Sequence, residues 1–435
     1  MATTADEQAS AFSFLKGQEN VIAPKDEAPF DWEAAAAVVR GHLRDAMNAQ
    51  NLGFLLGSGC SSLVREGVQL GIPTMAPMAQ AFLNQVGPDD TSPYISQVER
   101  QTLLNFFGLE VTAERFLTNL ERLMESLYGA SFALRDTTDQ NAQNLSALVN
   151  RVISKIARHV LTSCTTGPFV QGDKTVLNLY QAFYQKLLLR DRSLPRPWVF
   201  TTNYDLFNET AMDRRSIPYC NGFQGVVERR FNPAVFRYAL AEQLDISSRK
   251  WSAVDSFVYL CKLHGSVNWI EDGDTLFPVR ELQNTPTDGT KRVLVYPTPA
   301  KQSASFAFPY ADLFREFQNR IVRDQSVLVV IGYSFGDEHI NNIIFQALTI
   351  PNFRLIAFLP PDAGGIPAQL RELLDPRIWM IGGGGPKANA SAHYFDTFVE
   401  RFMPDLPGQN IEQAVEKVVQ GLLRKSAETN GGSGD

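Results

Sequence analysis

Short apolar runs recur along this chain, and each ends at a polar or glycine-containing turn. NLGFLL (51–56) leads into GSGCSS, PWVF (197–200) into TTNYD, FVYLCKL (257–263) into His264, and VLVVIG (327–332) into YSFGD. NFRLIAFLP and RIWMIGGGG repeat the habit nearer the C-terminus. Apolar runs of about four to eight residues bounded by turn signals predict buried strands.

Between these runs the period changes. WEAAAAVVRGHLRDAMNAQ (32–50) is dense in helix formers. In VTAERFLTNLERLMESLYG, Phe116, Leu120, Leu123 and Leu127 share one side of a helix. NLSALVNRVISKIARHVLTSC, KTVLNLYQAFYQKLLLRD and PYADLFREFQNRIV behave alike, and YFDTFVERFMPD and NIEQAVEKVVQGLLRK read as terminal helices. Strands alternating with helices predict an α/β, Rossmann-like fold with a mainly parallel sheet. The helices crowded into residues 68–190 read as one large insertion, able to cover a site or to form an oligomer interface. His159, inside one of them, reads as a packing residue. Residues 1–30 read as irregular, punctuated by Pro24 and Pro29. The main domain is expected over 31–400, a C-terminal helical extension over 401–425 and a disordered tail over 426–435.

With 435 residues and 44% apolar composition, the chain can bury a sizeable core. Its formal net charge of −7 argues against a strongly basic duplex-binding face, so direct nucleic-acid binding is not expected. Cys60, Cys164, Cys220 and Cys261 form no CxxC pair, so neither a disulfide scaffold nor a structural zinc knuckle is expected. No apolar run approaches the roughly 20 residues that span a bilayer, and the first thirty residues lack the sections of a secretory signal. A cytoplasmic location follows as the expectation.

In an open parallel sheet, ligands bind outside the carboxyl ends of the strands. Four polar turns following four strands therefore predict one nucleotide site. Gly57 and Gly59 permit tight backbone geometry and close ligand approach. A helix starting just after them would turn its N–H groups towards phosphate. The string is neither a full GxGxxG nor a GxxxxGK[ST] loop, and a plain glycine turn also accounts for it. Ser58, Ser61 and Ser334 suit phosphate or ribose hydrogen bonds, or simple turn caps. Gly332 and Gly336 would keep the last loop near the ligand. Asn203 and Asp205 also fit an Asx turn, and His264 a strand-end hydrogen bond.

At these residues the chain resembles the sirtuin-like (SIR2) family. GSGCS (57–61), TTNYD (201–205), LHG (263–265) and GYSFGD (332–337) occur in that family's order, and the resemblance covers about 45–400. The branch it resembles is that of the prokaryotic SIR2-like NAD-consuming proteins associated with defence against phage. The resemblance implies that NAD+ is a substrate and no metal is needed. It places Gly57, Ser58, Gly59 and Ser61 around the phosphates, and Gly332 and Ser334 in the later dinucleotide-contacting loop. Asn203 corresponds to the asparagine that positions water near the nicotinamide ribose, with Thr202 beside it. Asp205 corresponds to the acid of the nicotinamide pocket and His264 to the catalytic histidine.

The paired CxxC zinc ligands of deacylating sirtuins are missing, which favours hydrolysis of the nicotinamide–ribose bond over protein deacylation. Two alternatives stay open: an NAD-dependent protein deacylase, and a non-catalytic NAD or ADP-ribose sensing module. The family analogy further implies a homo-oligomer and a HerA-like ATPase or Argonaute-like effector as partner.

Overall fold

The computed structural model describes residues 10–23, 29–245, 250–272, 278–283, 285, 293–295 and 309–406. Its central sheet is built from β1 (Phe12–Lys16), β2 (Asn51–Leu56), β3 (Trp198–Thr201), β4 (Val258–Lys262), β5 (Ser326–Ile331), β6 (Arg354–Phe358) and β7 (Ile378–Gly383). Their spatial order is β1-β7-β6-β5-β2-β3-β4, with Glu19–Asn20 outside β1 and Tyr219–Cys220 outside β4. Strands β2 to β7 run parallel to their neighbours, and β1 is antiparallel to β7. After β2 the chain builds β3 and β4 on one side; it then returns to lay β5, β6 and β7 on the other. The order therefore reverses between β2 and β5, and the crevice at such a switch point is where this class of sheet binds ligands.

Helices cover both faces. In chain order they include α1 (Trp32–Met47), α2 (Met75–Leu83), α3 (Gln97–Phe107), α4 (Glu114–Leu117), α5 (Leu120–Ala133), α6 (Gln140–Thr165), α7 (Thr175–Leu187), α8 (Phe207–Arg214), α9 (Tyr310–Ile321) and α10 (Glu338–Leu348). Strand residues alternate between two cores, as a period of two requires. Val327, Val329 and Ile331 join α1, the helices α2 to α7, and Phe395, Phe398 and Phe402. Leu328 and Val330 join α9, α10 and the aromatic cluster of Phe231, Phe236 and Trp269. Phe231 and Trp269 of that cluster belong to a small antiparallel sheet that includes Gly265–Glu271, Val279–Glu281 and Arg229–Phe231, and Phe236 lies in the 3₁₀ turn that follows. Arg229 of that sheet pairs with Glu281, and Arg230 with Glu228 and Asp272.

Helix α3 opens with a capping box in which Ser96 and Glu99 exchange side-chain and backbone hydrogen bonds. Glu99 is fully buried and meets Lys155 of α6 at 2.8 Å and Arg151 at 3.0 Å, so one carboxylate pins two insertion helices together. His159 packs its ring on Phe82 and contacts the Met78 carbonyl.

Two expectations change. The N-terminal segment is not wholly irregular: Phe12 and Phe14 bury alternate side chains, and their strand extends the sheet antiparallel to β7. YFDTFVERFMPD does not make one regular helix; it forms a short turn at Phe395–Thr397 and a π-helical turn at Phe398–Phe402. The helix expected at 410–425 and the tail lie outside the described residues. Among the described residues no helix is long and apolar enough to cross a membrane.

Candidate functional site

The turns after β2, β3, β4 and β5 surround one cavity of about 180 Å³. Ser58, Ser61, Thr202, Asn203, Asp205, His264, Gly332 and Ser334 all line it, so the sequence-predicted pieces do meet. Gly57 and Gly59 do not line it. They are needed for a different approach: a Cβ on Gly57 would lie 2.3 Å from the Gly332 carbonyl oxygen, and one on Gly59 2.8 Å from the Gly332 Cα. Gly332 itself has φ +64 and abuts Cys60. These glycines let the β2 and β5 turns cross at the switch point.

The segment after Gly57 is a single 3₁₀ turn at Ser58–Cys60, not the helix N-terminus expected for a phosphate cradle. Its amides are turned inward. Gly57 donates to Ile331, Gly59 to Gly332, Cys60 to Gly57 and Ser61 to Ser58. Of the serines at the cavity, Ser58 and Ser334 are exposed, whereas Ser61 is buried.

Ser61 belongs to a hydrogen-bond chain whose direction the chemistry fixes. Its single hydroxyl proton goes to Asp205 Oδ2 at 2.7 Å. It must then accept from the Tyr180 hydroxyl at 2.8 Å and from Asn203 Nδ2 at 2.9 Å. Burial and the Asp205 charge push the Tyr180 phenol well up, which keeps it a donor. Asn203 Nδ2 also donates to the Gly57 carbonyl at 3.0 Å, an acceptor that settles which way the amide faces. The consequence is specific: Asn203 Oδ1 is buried and has no hydrogen-bond partner among the described residues. Asp205 accepts the Phe207 amide with its other oxygen, at 3.0 Å, closing the Asx turn.

Across the cavity, His264 Nε2 lies 2.9 Å from Asp337 Oδ2. Burial pushes the Asp337 carboxyl up, but the hydrogen bond and charge of His264 and the Ile340 amide pull it below the usual range. An ionised Asp337 accepts, so Nε2 carries the proton of this hydrogen bond. Asp337 also caps α10, accepting the Ile340 amide at 3.0 Å. In the sequence this acid closes GYSFGD directly before a helical run, the pattern of an N-cap, and carries no other sign of a role at the site.

The insertion completes the walls. Met75 and Met78 of α2, Thr118, Asn119 and Glu121 around the start of α5, and Val160 and Cys164 of α6 face the cavity. Charged lining groups among the described residues are the carboxyl-bearing Glu121, Asp205 and Asp337, with His264; no lysine or arginine is among them. Such a wall favours a ligand with positive charge at this end. Cys60 and Cys261, adjacent to the motifs, are buried free thiols whose ionisation burial pushes well up. Among the described residues no His, Cys, Asp and Glu cluster has the arrangement to hold a metal ion.

Residues 197–377 match a family model described as a SIR2-like domain. The matched stretch starts one residue before β3, carries Asn203, His264 and Asp337, and stops just before β7. Ser61 and the whole insertion precede it. No curated protein matches the chain.

Proposed function

Residues 197–377 of this chain are a SIR2-like domain, and on that premise we propose that the protein is an NAD+ glycohydrolase that releases nicotinamide and ADP-ribose. The unpartnered, buried Oδ1 of Asn203 carries the reading. It is an acceptor held in a fixed direction by Gly57 and Ser61, suited to a water molecule.

Heterolysis of the C1′–N1 bond sends its electron pair to the pyridinium nitrogen, so nicotinamide leaves neutral. Positive charge develops at C1′ within the reach of a wall bearing Glu121, Asp205 and Asp337. Asn203 Oδ1 accepts one O–H of water and turns the oxygen lone pair towards C1′. The water's other proton departs through the ribose hydroxyl network organised by His264, with Asp337 orienting the ring. Ser58, Thr202, Gly332 and Ser334 supply the neutral surface for the rest of the dinucleotide.

By the same family analogy, the activity depletes cellular NAD+ in anti-phage defence. The toxicity of that reaction supports a restrained, cytoplasmic homo-oligomer released by a trigger or by a HerA-like ATPase or Argonaute-like partner. Chromatographic product analysis after incubation with NAD+, with and without an acyl-lysine peptide, tests the chemistry. Nicotinamide and free ADP-ribose in both samples are expected. An acyl-ADP-ribose product would make the chain a deacylase, and nucleotide binding with no product would make it a sensing module.

A further inference from the structure

Lys262 is the last residue of β4 and lies opposite Thr201, the last residue of β3. Only 1% of its surface is exposed. Its ammonium contacts the Tyr204 carbonyl at 3.3 Å, Ser266 Oγ at 2.8 Å, Glu209 Oε1 of α8 at 3.1 Å, and the Asp205 carbonyl. Ser266 Oγ in turn donates to the Tyr204 carbonyl at 3.2 Å. These groups belong to two different turns: Tyr204 and Asp205 follow Asn203, whereas Ser266 follows His264.

We propose that Lys262 is a positioning residue that locks the Asn203 turn to the His264 turn, and so fixes the spacing of the water-orienting and proton-exchanging groups. The coupling runs through named contacts. The ammonium holds the Asp205 backbone, the Asp205 carboxylate holds Ser61, and Ser61 holds Asn203 Nδ2. Without the cation, the Ser266 hydroxyl and the Val267 amide still donate to the Tyr204 carbonyl, but the Asp205 carbonyl loses its charged partner and the joint between the two turns loosens. Glu209 supplies the countercharge that makes a buried lysine tolerable; its carboxyl is raised by burial and drawn back by Lys262. The kinetic consequence rests on the hydrolase reading; the mechanical one does not.

Removing Lys262 alone would leave Glu209 buried and unpaired, so the informative variant replaces both. Apolar replacement of a buried ion pair is often neutral for stability, so Lys262→Met with Glu209→Met should remain folded and melt only modestly below wild type, by what the carbonyls lose with their donor. In that double variant, kcat for nicotinamide release is expected to fall about 100-fold with KM nearly unchanged, because misplacement by about an ångström costs that much. Amide hydrogen exchange at Thr202–Asp205 and at His264–Val267 should accelerate together, by about tenfold or more, while β5 and β6 stay protected. Wild-type kcat, or unchanged exchange in either turn, would overturn the proposal. If the wild-type chain releases no nicotinamide, the hydrolase reading fails, while coupled exchange in the two turns still upholds the clamp.

Discussion

The sheet edge and the helical insertion contribute to the same cavity by opposite means. At the edge, each functional group sits at the end of a buried strand, and its direction is set by short backbone contacts: Asn203 by Gly57, Asp337 by the start of α10. The insertion reaches the cavity with side chains from amphipathic helices and from the turns that join them, and the Glu99–Lys155–Arg151 cluster ties α3 to α6. In the proposed reaction the edge fixes where chemistry occurs, and the insertion decides what surrounds it. Damage to the first should therefore appear in kcat, and damage to the second in stability first.

His264→Ala should give the largest change, a loss of about 10²–10⁴-fold in kcat with the fold intact, measured by nicotinamide release alongside circular dichroism. Asp337→Asn should follow it in direction with a smaller loss, since it leaves the ring in place but removes the carboxylate that orients it. If the insertion were the catalytic region, neither change would matter.

Lys155→Met should cost about 1–3 kcal/mol in chemical denaturation, because the buried Glu99 carboxylate keeps only Arg151 and the Ser96 amide of its three named partners. Gly57→Ala should cost about 1–3 kcal/mol, since its methyl meets the Gly332 backbone and not a movable side chain. A comparably stable Gly57→Ala protein would mean that the two turns do not cross as described.

The pH response sharpens the same contrast. Glu99 is pushed up by burial but pulled lower by Lys155, the Ser96 amide and Arg151, and Asp337 is likewise lowered. Carboxyls with depressed folded-state values add stability that is fully present above their unfolded values. It is lost as pH falls through the folded ones. Acid titration should therefore unfold the protein only below about pH 4, and Lys155→Met should move the midpoint upward. The smallest effect is expected from Glu121→Gln, about fivefold in kcat, the scale of one water-screened charge near C1′. No change there would reduce the insertion to a passive cover.

Much of the edge was legible because its signals are local. A strand of known length ending at TTNYD or GYSFGD can point those residues only towards the carboxyl edge, and Asn203, Asp205 and His264 indeed line one cavity. What the strings could not reveal was which polar groups neutralise one another. Ser61 read as a phosphate contact, yet its hydroxyl is engaged by Asp205, Asn203 and Tyr180. Tyr180 and Lys262 carried no signal at all, since one looks like a helix core position and the other like a strand-end lysine. In the insertion, helical spacing foretold buried Leu120, Leu123 and Leu127. It could not foretell that Glu121, between them, would face the site.

The most direct test of the account compares wild type with Asn203→Ala, measuring NAD+ affinity and nicotinamide release in the same samples. Affinity should stay within a few-fold, while release should fall by about 100-fold or more. Equal release by the two folded proteins would contradict the role assigned to Asn203 and, with it, the reading of the site.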